Sequence, residues 1–248
     1  DTVTVLRDGQ TICTLDAHKG EVSEFVLIKN MVGREINNIY PARQRHPFKS
    51  AAEAVEAAKT TGVKVISYDR LITNTKAIDY YVTFDSLAVG ALQAEYLVEH
   101  AIGKGHPLYL YAGAAMDPNA FLFFQGAWNV LQPSIADGTF MVKNSSQAEA
   151  LQNTAQLSGE QLSRIFGQIT TNWDFTTARN LADFNLNSVT AVDKGDVFIL
   201  APNDGTARAI ADEFVTDPDI KSYVITGQDA EIASVQYIID GKQSMTVL

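Results

Sequence analysis

Val63-Lys64-Val65-Ile66-Ser67-Tyr68-Asp69-Arg70 is the stretch on which the reading of the fold turns. Six residues rich in β-branched and aromatic side chains follow Gly62 and run into an acidic-basic pair. That is the pattern of a short strand whose carboxyl end carries polar groups. Before it lies an alanine-rich segment of helical composition, opened by Pro47, running through Thr60 and closed by Gly62. A helix followed directly by such a strand is the unit from which parallel α/β sheets are built.

Working outward, the same alternation continues on both sides. Upstream, Ile36–Tyr40 reads as a strand stopped by Pro41. A helix through Val22, Phe25, Val26, Ile28, Lys29 and Val32 ends at Gly33, and Val3–Leu6 is a first strand. Downstream come a strand at Tyr80–Phe84 and a helix Ser86–Ala101 with Asp85 at its N-cap. Gly103-Lys104-Gly105-His106-Pro107 interrupts the pattern and marks a boundary or hinge. Beyond it, strands are expected at Leu108–Ala112, Thr139–Val142, Val197–Ala201, Tyr223–Thr226 and Met245–Leu248. Helices are expected at Pro118–Leu131, Phe175–Leu186, Gly205–Val215 and Ala230–Asp240. Asn144–Gly167 is polar and is assigned no element. The expected architecture is α/β, two Rossmann-like lobes with parallel sheets joined by a hinge. The lobes span 1–104 and 105–244, and 245–248 begins a return crossover.

Composition narrows the function. The chain has 248 residues, 46% hydrophobic and 19% charged, with a net charge of −10. This is a globular balance, and its sign disfavours nucleic acid or an anionic membrane as partner. Cys13 is the single cysteine, so no intrachain disulfide forms, and no apolar run reaches membrane-spanning length. No signal peptide opens the sequence, so an exported protein would be represented by its mature form or a piece of it. His18, His46, His100 and His106 lack metal-ligand spacing, and no catalytic or nucleotide-binding motif is present. Neither catalysis, metal nor cofactor is expected.

In open parallel sheets, ligands bind beyond the carboxyl ends of the strands, beside helix N-termini. Four strand ends carry polar residues there: Asp69-Arg70, Asp117-Pro118-Asn119, Asn203-Asp204 and Gln228-Asp229. Asn172-Trp173-Asp174 adds a fifth cluster before a helix. Asp85, Asp117, Asp204 and Asp229 are also placed to cap helices, which explains each of them singly. Together they supply what a monosaccharide needs. Planar carboxylate, carboxamide and guanidinium groups can each pair with neighbouring hydroxyls, and an aromatic ring can lie against the apolar C–H face.

Six segments in order then resemble the signature stretches of periplasmic xylose-binding and multiple-sugar-binding proteins, the periplasmic binding protein-like I group. They are Val65–Arg70, Tyr81–Asp85, Asp117–Ala120, Ala201–Gly205, Ile225–Glu231 and Gly241–Val247. The resemblance implies a two-lobed fold that holds a sugar in its cleft, without catalysis. Position by position, it implies that Arg70 binds from the first lobe, with Asp69 binding or orienting it. Asn119, Trp173, Asn203 and Asp229 would bind from the second lobe. It further implies a monomer in the periplasm or outside the cell, lipid anchoring left open, delivering xylose or a related aldose to an ABC permease. The family's first strand–helix unit and its last segments have no counterpart, so an incomplete first lobe is expected, and Gly9–Gly20 fits the family poorly. A sugar-sensing receptor, or the effector lobe of a repressor, would share the architecture. The repressor would add a helix-turn-helix and a basic N-terminal region, which are not found in this sequence.

Overall fold

The computed structural model describes residues 2–7, 10–23, 26, 27, 29, 30 and 48–248. The strand expected at Ile36–Tyr40 with its stop at Pro41, the opening at Pro47, and Phe25, Ile28, Val32 and Gly33 of the first helix lie outside these residues. The chain groups into two compact units, Asp1–Lys49 and Ser50–Leu248.

In the first unit, β1 (Thr2–Arg7) and β2 (Gln10–Asp16) form an antiparallel hairpin, with Thr2 opposite Asp16 and Val5 opposite Cys13. The expectation that Val3–Leu6 opens a parallel α/β series is therefore corrected. With so short a connection the chain can only reverse, since a parallel return needs a crossover of a dozen or more residues.

The second unit begins with α1 (Ala51–Thr60), whose N-cap is Ser50, accepting from the Glu53 amide. β3 (Ile66–Tyr68) and β4 (Tyr80–Val82) form a two-stranded parallel sheet, with Ile66 opposite Tyr80. The main body is a four-stranded parallel sheet in the order β6-β5-β7-β8. It comprises β5 (His106–Leu110), β6 (Phe140–Val142), β7 (Gly195–Leu200) and β8 (Ile220–Ile225). Around it lie α2 (Ser86–His100), α3 (Pro118–Ala136), α4 (Ser146–Ala150), α5 (Gly159–Ile169), α6 (Phe175–Asn187), α7 (Asp204–Phe214) and α8 (Ile232–Ile239).

The inner parts of the strands, such as Leu108–Leu110 and Val197–Leu200, are apolar and buried because helices cover both faces. Alternation divides their side chains. Leu108, Leu110, Phe198 and Leu200 face Leu97 of α2, Phe124 and Leu131 of α3, and Ile165 and Phe166 of α5. Tyr109, Tyr111, Val197 and Ile199 face Ala182 of α6 and Ile210 and Phe214 of α7. α3 runs past its expected end at Leu131 and carries Pro133 within it. Buried Leu131 and Ile135 hold that last turn against the core despite the missing amide hydrogen.

α2 packs along α3, and their axes come close enough that only glycine fits at the crossing. A Cβ on Gly90 would lie 1.8 Å from the Phe123 carbonyl oxygen, and one on Gly126 would lie 2.1 Å from that of Leu87.

Helix starts differ from expectation at two acidic residues. Asn203, and not Asp204, caps α7, its side chain accepting from the Thr206 amide. α8 starts at Ile232 after Glu231, so Asp229 caps nothing. The last expected strand reduces to a single parallel bridge between Gln228 and Val247.

Candidate functional site

Asp69 and Arg70 follow β3 directly, and the backbone there is bent sharply, with φ of 63° at Asp69. The bend is tied down on both sides. The Asp69 amide donates to Val82 O at 2.9 Å, and its carbonyl accepts from Tyr81 Oη and Thr83 Oγ1. Across from it, Asn119 stands on the first turn of α3, where its Nδ2 donates to the backbone carbonyl and Oδ1 of Asp69 at 3.2 and 3.3 Å. Among the described residues, the buried Asn119 Oδ1 atom has no hydrogen-bond partner.

Trp173 is held by a second unusual turn. Thr171 donates to Ala112 O beyond β5 and Thr170 Oγ1 donates to Gly113 O, while Asn172 and Trp173 take φ of 54° and 60°. The indole lies against Gly113, where a Cβ would come within 2.1 Å of the ring. Its edge meets Phe123 at 6.2 Å between centroids, and Phe123 in turn is 5.9 Å from Phe84. Non-glycine residues at positive φ, such as these and Asp229 at 106°, are costly and persist where surrounding bonds over-determine them.

All six residues singled out from the sequence, Asp69, Arg70, Asn119, Trp173, Asn203 and Asp229, line one cleft of about 550 Å³. Tyr68, Val82, Thr83, Phe84, Phe123 and Gln228 complete its wall. This volume is in the range of small-molecule sites. Asn203 Oδ1 caps α7, which turns its Nδ2 toward Asp229 Oδ2 at 3.4 Å. The cleft thus gathers acidic acceptors, a carboxamide acceptor left over at Asn119, guanidinium and amide donors, and an aromatic wall.

Asp117, one of the polar strand-end residues for which the sequence offers a cap as sufficient explanation, does cap α3, its Oδ1 accepting from the Asn119 amide at 3.0 Å. Its Oδ2 does more. It accepts from Arg70 Nε at 2.5 Å and from Trp173 Nε1 at 3.1 Å, fixing two cleft residues at once. Arg70 lies 3.6 Å from Asp69 as well. The bond to Asp117 pushes the Arg70 pKa above its ordinary value. Asp229 is displaced upward, chiefly because neighbouring groups exclude water from it, with the charges of Asp204, Glu231 and Asp69 adding to the effect and the Asn203 hydrogen bond opposing it. The aromatic residues Phe84 and Phe123 were also missed. Phe123 was within reach of the helical period, four positions after Asn119 on one face of α3.

Residues 48–248 match the family model of the periplasmic binding protein domain. The multiple sugar-binding periplasmic protein SbpA of Azospirillum brasilense is 35% identical over 79% of this chain and 52% of its own length, so the chain spans about half of that relative. The crystal structure of a carbohydrate transporter solute binding protein from Chloroflexus aurantiacus, in complex with D-glucose, aligns with a TM-score of 0.77 and 70% identity. That alignment covers 79% of this chain and 58% of the other. A stretch of 43 residues, 17% of this chain and 8% of the relative, is 56% identical to the L-arabinose transport ATP-binding protein AraG of Geobacillus stearothermophilus. Through residues 48–248, the chain belongs to the periplasmic binding protein domain family.

Proposed function

We propose that this chain binds a single aldose of the glucose or xylose kind in the cleft and, as part of an ABC importer, delivers it to a membrane permease from the periplasmic or outer side. The observation that carries the reading is the buried, unpartnered Asn119 Oδ1 within a ring of Asp69, Arg70, Asn203 and Asp229, closed on one side by Trp173. Sugar hydroxyls donate and accept together, and they satisfy such a mixed ring where a purely apolar or purely anionic ligand would not. The family likeness and the D-glucose in the Chloroflexus aurantiacus relative support the choice of sugar class. No step of catalysis belongs to this reading. The two lobes divide before α2 on this view, because α2 packs with α3.

The test is a titration with xylose, glucose, galactose, arabinose, ribose and fructose, followed by calorimetry and tryptophan fluorescence. Trp128 is 1% exposed in the core, so a sugar-dependent signal reports on Trp173. Saturable binding of one or two sugars is expected. Trp173→Phe should remove the optical change and weaken binding by about tenfold, the scale of one lost aromatic contact. No binding to any of the six sugars would overturn the reading.

A second reading concerns residues 1–47, which lie outside the family segment. We infer that they are related to the ATP-binding subunits of such importers. The 43-residue match is close in length to this stretch, and the antiparallel β1–β2 hairpin differs from the parallel pairing of the other sheets. A chain of residues 48–248 should then bind the same sugar with a Kd within about twofold, as for energetically independent parts. A loss well beyond that would tie the first unit to the site.

A further inference from the structure

Behind the cleft, and outside its lining, three polar side chains are almost wholly buried: Gln93 on α2 at 1%, Asp204 at 0% and Gln243 at 2% exposure. A buried carboxylate is tolerated only when hydrogen-bonded. The Asp204 carboxylate takes the Glu231 amide on Oδ2 and Gln243 Nε2 on Oδ1, both at 2.8 Å. Its own amide donates to Gln228 O at 2.9 Å. Gln243 Nε2 also donates to Met245 O at 2.9 Å. Gln93 Nε2 lies 3.0 Å from Gly227 O and 3.3 Å from the carbonyls of Ala201 and Pro202. The knot closes around Gly227, where a Cβ would lie 2.3 Å from both Asp204 Oδ1 and Gln243 Nε2.

Each of these bonds ends on one of two turns. One is Ala201–Asn203, and the other is Gly227–Glu231 with the crossover that follows it. Asn203, Gln228 and Asp229 are the cleft residues on those turns. The second turn holds Asp229 and Ala230 at φ of 106° and 49°, so it depends on outside bonds to keep its shape. The Asp229 amide reaches Val247 O at 2.9 Å, and that of Ala230 reaches Thr246 Oγ1 at 3.2 Å. The segment that supplies those two acceptors is the one Gln243 ties to Asp204.

We propose that Asp204, Gln243 and Gln93 are positioning residues that never touch the sugar and set its affinity by fixing Asn203 and Asp229. The assignment rests on the reading of the cleft as a sugar site. A purely structural role would lower stability alone. A positioning role also changes how Asp229 binds and titrates. Asp229 is faced by Asp204, Glu231 and Asp69, which disfavour its charge, and by Arg70 and the Asn203 amide, which favour it. Removing the Asp204 charge makes Asp229 easier to ionise, and ionised Asp229 is the stronger acceptor of sugar hydroxyls.

The experiment compares the whole chain with Asp204→Asn, using the sugar it binds best from the panel above, across pH. Asp204→Asn should weaken binding by about tenfold or more, because the Glu231 amide and Gln243 then compete for one acceptor. The acid limb of the affinity profile should also move to lower pH. The exchange Asp204→Asn with Gln243→Glu, which lets the new amide donate to the new carboxylate, should recover part of the loss. Should Asp204→Asn fail to fold, Gln93→Met carries the same affinity test. Unchanged affinity and an unchanged acid limb, with only a lower melting temperature, would overturn the proposal. A native chain that binds no sugar in the panel would sink the underlying reading of the cleft and the proposal with it.

Discussion

Asp117→Ala is expected to weaken sugar binding by about a hundredfold, the result of leaving two groups of the cleft without their partner. Asp117 is 7% exposed, and its Oδ2 is shared by Arg70 Nε and Trp173 Nε1. Removing it frees Arg70, whose side chain is already 60% exposed, to swing into solvent, and it strands the Trp173 indole N–H at the cleft wall. The Asn119 amide loses its cap in the same step, so the helix start that presents Asn119 frays, at a cost of about 1 kcal/mol. Calorimetry on Asp117→Ala and Asp117→Asn separates the parts. Asparagine retains one acceptor and should lose less. If alanine costs less than about threefold in Kd, the bridge contributes nothing beyond capping.

The second large effect concerns stability. Gly90→Ala places a methyl group 1.8 Å from a backbone carbonyl oxygen of α3, and no side-chain rotation relieves that contact. α2 must move away, opening the packing of Ala94 and Leu97 against Ala127, Trp128 and Leu131. A loss of about 3 kcal/mol is expected, the upper part of the usual range for overpacking. For a unit of this size it lowers the melting temperature by about 10 °C. Gly126→Ala should act similarly, and the double variant should cost less than the sum, since one displacement accommodates both methyl groups. A thermal melt of the three variants checks this. A fall of only a degree or two for Gly90→Ala would mean that the crossing is looser than described.

Much of the second sheet was legible in the sequence, because parallel strands covered on both faces read as unbroken apolar runs such as Val197–Ala201. The cleft was legible for a related reason. Strand ends must meet helix starts in this architecture, so Asp69-Arg70, Asn119, Asn203 and Asp229 could converge on one place only. The reading failed where one residue had a sufficient simple explanation. Asp117 looked like a cap, and nothing local showed that its other oxygen faces Arg70, 47 positions earlier. Asp204 looked like a cap too, yet the preceding Asn203 takes that role and Asp204 turns inward to Gln243. The β1–β2 hairpin was missed because short β-branched runs have the same composition in either orientation. α4 and α5 were missed in a polar stretch where the one buried side chain of α4, Ala148, is separated by a loop from Leu162, Ile165 and Phe166 of α5.

The double employment of Asn203 and Asp117 bears on how this cleft can be retuned. Both residues start a helix with one side-chain atom and shape the cleft with the other. Only a short side chain with an acceptor can start those helices, so the alphabet open to either position is about four letters, Asn, Asp, Ser and Thr. Arg70 and Trp173 carry no such obligation. A lineage or a designer shifting preference among related sugars would therefore travel mainly through positions 70 and 173, while 117 and 203 stay nearly fixed.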